Sequence, residues 1–315
     1  MTFATKTKKG CIKRLSRCAA LVVAGYLIIM VSMHYSIMPT LFQSNSTLTQ
    51  TPPQTLNFQI TTDAHTALLS SDTAATSNSK LILVGILTSV EKLQRRTLIR
   101  DTYARLKPAN VDLVFVFGRP KDSSYEALIR LESIRYGDIM VVDCKENMDD
   151  GKTFAFFKHV GSVYPPEQYG FVMKADDDCW IGLDNLAKWV STMPQTGTYF
   201  GRHVSGTGFM AGMGYGLSFD LVQWIATDAY PSQHRIGQED SLLASWLRHS
   251  NQLKHYIGDE TKAFYDDPAH ARGWAHPYTA NTILIHRLKN EAWFLKAAEH
   301  FLPAEFFPNV PNLNQ

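Results

Sequence analysis

Three aspartates stand in a row in FVMKADDDCWI (171–181), directly after a short apolar run. Ionised together, Asp176, Asp177 and Asp178 repel one another unless something cationic lies among them. Carboxylate oxygens gathered at the end of a strand suit a hard divalent cation, Mg²⁺ or Mn²⁺, which in turn bridges phosphate oxygens. A solvated turn or helix cap is the alternative for such a run, and the apolar flanks FVMKA and CWI weigh against it. A second acidic pair, Glu239 and Asp240, opens GQEDSLLASWLRH (237–249). There it sits on the first turn of a predicted helix, where the backbone dipole favours negative charge. DGKTF (150–154) ends like a P-loop, but that motif needs a glycine five residues before Gly151, and Glu146 stands there. A P-loop is therefore excluded.

The elements that must position these groups follow from periodicity. LILVGILT (81–88), DLVFVFG (112–118), DIMVVDC (138–144) and GFVMKAD (170–176) have the length and apolar content of buried strands. Between them, 91–106, 124–137 and 151–164 carry helical apolar spacing. Strand alternating with helix predicts an α/β fold with a mostly parallel central sheet, which binds ligands beyond the carboxyl ends of its strands. The aspartate triplet lies at one such end. Further on, six glycines fall between 201 and 216, followed by a helix that the Ser218 hydroxyl is expected to cap. Those glycines read as a loop or turn with close backbone approach.

The net charge of +2 hides a split. Residues 1–38 hold six of the 31 basic residues and no acidic one, leaving 25 basic against 29 acidic in the rest. A mildly acidic body lacks the clustered Lys and Arg of a broad nucleic-acid surface. Cys18 to Met33 carries no charge, and counted through Met38 the apolar run reaches about the 20 residues that cross a bilayer. It is longer than the apolar region of a cleaved signal peptide, and no clean cleavage site follows. The reading is a cytosolic basic tail (1–17), a transmembrane signal anchor (18–38), a disordered luminal stem (39–79) and a catalytic domain (80–315). Positive charge before the span makes the topology type II. Asn45 heads a glycosylation acceptor triplet, and of the four cysteines only Cys144 and Cys179 are placed to pair in a lumen. Sequence does not fix their distance, and the pairing is not the favoured reading.

In order, RRTLIRDTY (95–103), YGDIMVVDCKEN (136–147), FVMKADDDCWI, FMAGMGYGLS (209–218) and QED (238–240) resemble the motifs of the beta-1,3-galactosyltransferase family. The likeness covers about residues 80–290. It implies a GT-A-like nucleotide-sugar-binding fold and an inverting, metal-dependent hexosyltransferase in the Golgi membrane. The implied donor is a UDP-sugar, galactose first and N-acetylglucosamine as runner-up, and the acceptor is a glycan hydroxyl. A catalytically silent, membrane-tethered carbohydrate-binding protein and a metal phosphohydrolase are the readings from other classes.

Residue by residue, the resemblance implies Asp178 as direct metal ligand, with Asp176 ligating or orienting the donor and Asp177 and Lys174 contacting it. The family pattern R-x-x-I-R-x-T-W falls on Arg96, Ile99, Arg100 and Thr102, with Tyr103 where tryptophan is usual, and implies both arginines at the donor phosphates. Y-x-x-G-x-G-Y-x-x-S falls on Phe209, Gly212, Gly214, Tyr215 and Ser218, and implies Gly212 and Gly214 beside the sugar. Asp240 is implied as general base and Glu239 as its neighbour helping to hold substrate or loop. A late histidine often joins such metals, here His286 with His276 as competitor. Lys152 and Thr153 match loosely. Cys179-Trp180-Ile181 replaces the usual Val-Phe-Val, and the stretch after Glu239 and Asp240 lacks the family's Val and Gly.

Overall fold

The computed structural model describes residues 79–270 and 273–307. The chain divides into Met1–Thr73 and Ala74–Gln315, and all described residues belong to the second unit. The expected tail, anchor, Asn45 and, apart from Ser79, the stem lie outside the described residues. Among the described residues no helix is long and apolar enough to cross a membrane.

Four strands form the parallel half of the main sheet: β1 (Lys80–Leu87), β2 (Val111–Arg119), β3 (Ile139–Lys145) and β4 (Tyr169–Asp176). Each lies within a residue or two of its sequence expectation. The helices between them are α1 (Leu93–Asp101), α2 (Ser124–Tyr136) and α3 (Thr153–Val163). The first is shorter than expected because Thr102 leaves helical geometry and its hydroxyl bonds back to the Leu98 carbonyl at 2.5 Å. Apolar residues alternate across β1. Ile82, Val84 and Ile86 enter one core, and Leu83 and Leu87 enter the core on the other face.

The second half departs from a mostly parallel plan. The stretch read as a glycine-rich loop is largely the hairpin β6 (Thr198–His203) and β7 (Met210–Ser218). After α4 (Leu183–Val190), α5 (Phe219–Thr227), α6 (Ala229–Gln233) and α7 (Glu239–Ser250) comes β8 (His255–Gly258). The strand order is β3-β2-β1-β4-β7-β6-β8, with β7 antiparallel to both neighbours. Glycines recur in β7 because its neighbours press on it. A Cβ on Gly214 would lie 2.6 Å from Leu284 and 2.9 Å from Met173. Ser218 does precede α5, but its hydroxyl donates to Asp220 at 2.5 Å and accepts from the Thr198 amide at 2.8 Å, so it caps no helix N–H.

A second sheet is small: β5 (Trp180–Ile181), β10 (Leu284–His286) and β9 (Phe264–Asp266), in that order. Helix α8 (Glu291–Phe301) follows it. Because β5 begins two residues after the aspartate triplet and pairs antiparallel with β10, this sheet carries the end of β10 to the triplet.

Candidate functional site

Strand β1 lies between β2 and β4, so the connections diverge there, and crevices form at the carboxyl ends of strands at such a switch point. Asp176, the last residue of β4, is in register with Leu87, the last of β1. A cleft of about 640 Å³ opens at this edge, lined by Thr88, Lys92, Arg95, Asp177 and Lys289 among others. A neighbouring cleft of about 420 Å³ is lined by Phe209, Gly212, Asp240, Trp274 and His286. Asp176 borders both.

Carboxylate oxygens of Asp176 and Asp178 and a ring nitrogen of His286 all lie within 4.8 Å of one another. The imidazole Nδ1 is 2.9 Å from Asp266 Oδ1, and Nε2 is 3.7 Å from Asp178 Oδ2. With Nδ1–H donating to Asp266, the lone pair of Nε2 faces the aspartates, the carboxylate–histidine arrangement that orients a metal ligand. Two carboxylates and an imidazole form a mixed O and N donor set that suits Mn²⁺. His276 is not part of this group. Its ring nitrogens lie 2.7 Å from the carbonyls of Pro277 and Lys262, and the ring packs on Tyr265.

The repulsion within the triplet is met by three different lysines. Lys174 Nζ is 2.9 Å from Asp176, Lys92 Nζ is 2.8 Å from Asp177, and Lys289 contacts Asp178. Lys174 is 1% exposed. Burial acts to lower its pKa, but Asp176 and Glu239 outweigh it and hold the ammonium above the ordinary lysine range. Its three N–H groups are met by Asp176, Glu239 at 2.8 Å and the Gly212 carbonyl. Lys174 therefore ties the acidic edge to α7 and has no N–H left for a donor phosphate, a correction to its expected role.

Arg96 and Arg100 are corrected too. Arg96 is fully buried, and its guanidinium grips both Glu132 oxygens at 2.7 Å and the carbonyls of Ser89 and Val90. Arg100 pairs with Asp138 at 2.7 Å and Glu132 at 2.8 Å and packs on Tyr136. The network fastens α1 to α2 and to the amino end of β3. The cations that do line the cleft are Lys92, Arg95, Lys152 and Lys289. Lys152 is buried, and burial lowers its pKa against the opposing pull of Glu146. Lys92, Arg95, Lys289 and Asp266 were not singled out from sequence. The one signal for them was that a triplet of like charges needs counter-cations.

At the start of α7, Glu239 is held on both oxygens, Oε1 by Lys174 and Oε2 by Tyr215 and by Thr153 at 3.3 Å. Asp240 accepts the Ser241 amide at 2.8 Å through Oδ1. Its Oδ2 lies 3.6 Å from where a Cβ on Gly212 would sit, and Glu239 Oε1 3.0 Å from it, so any larger residue at 212 would crowd both carboxylates. Cys144 and Cys179 are both free thiols.

A Galactosyltransferase family model matches residues 94–208, which include all of α1 after Leu93 and the whole aspartate triplet. Over this segment the chain is similar to the galactosyltransferase family. Probable beta-1,3-galactosyltransferase 12 of Arabidopsis thaliana is 27% identical over 198 residues, 52% of this chain and 53% of that protein. Beta-1,3-galactosyltransferase pvg3 of Schizosaccharomyces pombe is 24% identical over 173 residues, 38% of this chain and 46% of the other. Lactosylceramide 1,3-N-acetyl-beta-D-glucosaminyltransferase of Homo sapiens is 29% identical over 167 residues, 48% of this chain and 43% of that one. The matched segments thus span about half the length of these relatives. The family match ends before Glu239, Asp240 and His286, whose relation to the triplet rests on the geometry above.

Proposed function

We propose that this chain is a hexosyltransferase of GT-A-like fold that moves a hexose, galactose first, from a UDP-sugar to a glycan hydroxyl with inversion, forming a beta-1,3 linkage. The observation that carries the reading is the meeting of Asp176, Asp178 and His286 at the switch-point edge, with a cation-lined cleft on one side and Asp240 on the other. Asp176, Asp178 and His286 would hold a divalent cation such as Mn²⁺, which supplies compensation for charge growing on the departing diphosphate. Lys92 and Arg95 stand in the cleft where that diphosphate would lie. Asp240 takes the acceptor proton as the acceptor oxygen bonds to the anomeric carbon and the bond to UDP breaks. General-base help of this kind contributes about 10²–10⁴-fold. Glu239, held on both oxygens, positions the first turn of α7. The proposed setting is the Golgi membrane, with 18–38 as anchor and the catalytic unit luminal.

A UDP-N-acetylglucosamine donor is the second reading, favoured by the name of the human relative above. UDP release from UDP-galactose, UDP-N-acetylglucosamine and UDP-N-acetylgalactosamine, with and without Mn²⁺ and a saccharide acceptor, tests both. The galactosyl reading expects acceptor-dependent turnover that is fastest with UDP-galactose. UDP binding without turnover on any donor would instead mark a silent carbohydrate-binding protein.

A further inference from the structure

Lys289 and a divalent cation compete for one oxygen. The Lys289 ammonium contacts Asp178 Oδ2, the same atom that lies 3.7 Å from His286 Nε2. The contact is built into the backbone, because the Leu288 amide donates to the Asp178 carbonyl at 3.0 Å and brings the next residue alongside the triplet. Lys92 and Lys174 each hold a different aspartate, so Asp178 is the carboxylate whose lysine partner occupies the face turned to the histidine. An ammonium and a divalent cation on one carboxylate oxygen repel each other strongly at that separation. The Lys289 side chain is 60% exposed and also lines the cleft of about 640 Å³, so it has room to move away from Asp178 without unpacking anything.

We propose that Lys289 is an exchangeable internal counter-cation, whose ammonium holds Asp178 until a divalent cation binds and then turns to the diphosphate of the incoming donor. The inference rests on the metal reading under Proposed function. It makes Lys289 a positioning residue that couples the two binding events: the ammonium weakens the binding of metal alone and strengthens the binding of a nucleoside diphosphate once metal is present.

The test is Lys289→Met in the full chain, with Mn²⁺ alone titrated by electron paramagnetic resonance and UDP titrated at saturating Mn²⁺. Removing one partly exposed ion pair should tighten Mn²⁺ binding roughly three- to fivefold. UDP binding should weaken by a similar factor, and Lys289→Arg should restore both toward wild type. Unchanged or weaker Mn²⁺ binding in Lys289→Met, when wild type binds Mn²⁺ and Asp178→Asn does not, overturns the exchange alone. If neither wild type nor Lys289→Met binds Mn²⁺, the metal reading and the exchange both fall. Thermal unfolding of Lys289→Arg should match wild type, since the ion pair to Asp178 is kept and the Lys289 side chain is 60% exposed.

Discussion

Trp180 of β5 pairs with Ile285 of β10, and through this one pairing Asp178 and His286 reach the same edge of the molecule. The two residues are 108 positions apart in sequence, and a three-stranded sheet closes that gap. The same region holds a pair of exchanges against the family pattern. Tyr103, where tryptophan is usual, packs edge-on against Trp180, where phenylalanine is usual, at 5.2 Å between ring centroids. The smaller ring faces the larger one, so the volume of the contact is kept.

That exchange leaves a mark that can be measured. The Tyr103 hydroxyl is buried without a hydrogen-bond partner among the described residues, and burial pushes its pKa well above the ordinary value. Leaving such a group unpaired costs about 1–3 kcal/mol. Tyr103→Phe is expected to be neutral or to stabilise by about 1 kcal/mol, read as a raised urea midpoint.

The arginines of the first motif are expected to govern stability. Arg96 and Glu132 are both almost fully buried, so Arg96→Met strands a carboxylate and should cost about 3–5 kcal/mol in urea unfolding. Burial tends to raise the Glu132 pKa, but Arg96 and Arg100 outweigh it and hold it below the usual carboxylate range. A carboxyl with a depressed folded pKa stabilises above its unfolded value and loses that contribution as pH falls through the folded one. Wild type should therefore lose stability below about pH 4.5, and Glu132→Gln should flatten that acid limb.

Lys174 should behave as a structural cation. Lys174→Met leaves Asp176 and Glu239 facing each other without their shared ammonium, and is expected to cost about 3–5 kcal/mol. Tyr215→Phe removes only one of three donors to Glu239 and should cost about 1 kcal/mol. Equal losses in the two variants would contradict the assignment of Lys174 as the buried hub.

Thiol chemistry separates the two described cysteines. Burial pushes the Cys144 thiol up to about 11, and pushes fully buried Cys179 well above its ordinary value. Thiolate is the reactive form, so alkylation of Cys144 should rise about tenfold per pH unit between pH 8 and 10. Cys179 should stay unmodified until the chain unfolds. Peptide-resolved mass spectrometry after iodoacetamide reads both, and a Cys144–Cys179 cross-link would contradict the free thiols of the structure.

The parallel strands and α2 were legible because each is a short, strongly patterned segment bounded by turn residues. The aspartate triplet was legible because like charges at a strand end demand compensation. Strands β6 and β7 were hidden by glycine, which weakens a strand signal and is present here because Leu284 and Met173 leave no room for a side chain. Arg96 and Arg100 misled for a different reason. A motif records which residue stands at a position, and only the fold reveals that Glu132, on another helix, claims both guanidinium groups. Lys92, Lys289 and Asp266 reach the triplet from separate elements, a meeting that no local pattern encodes.

Under the proposed function Asp240 is the base and the metal is held by Asp176, Asp178 and His286. Asp240→Asn should lower UDP-galactose turnover by about 10²–10⁴-fold while leaving Mn²⁺ affinity, read by electron paramagnetic resonance, at the wild-type value. Asp240→Asn with wild-type turnover, or with Mn²⁺ binding lost, would contradict it.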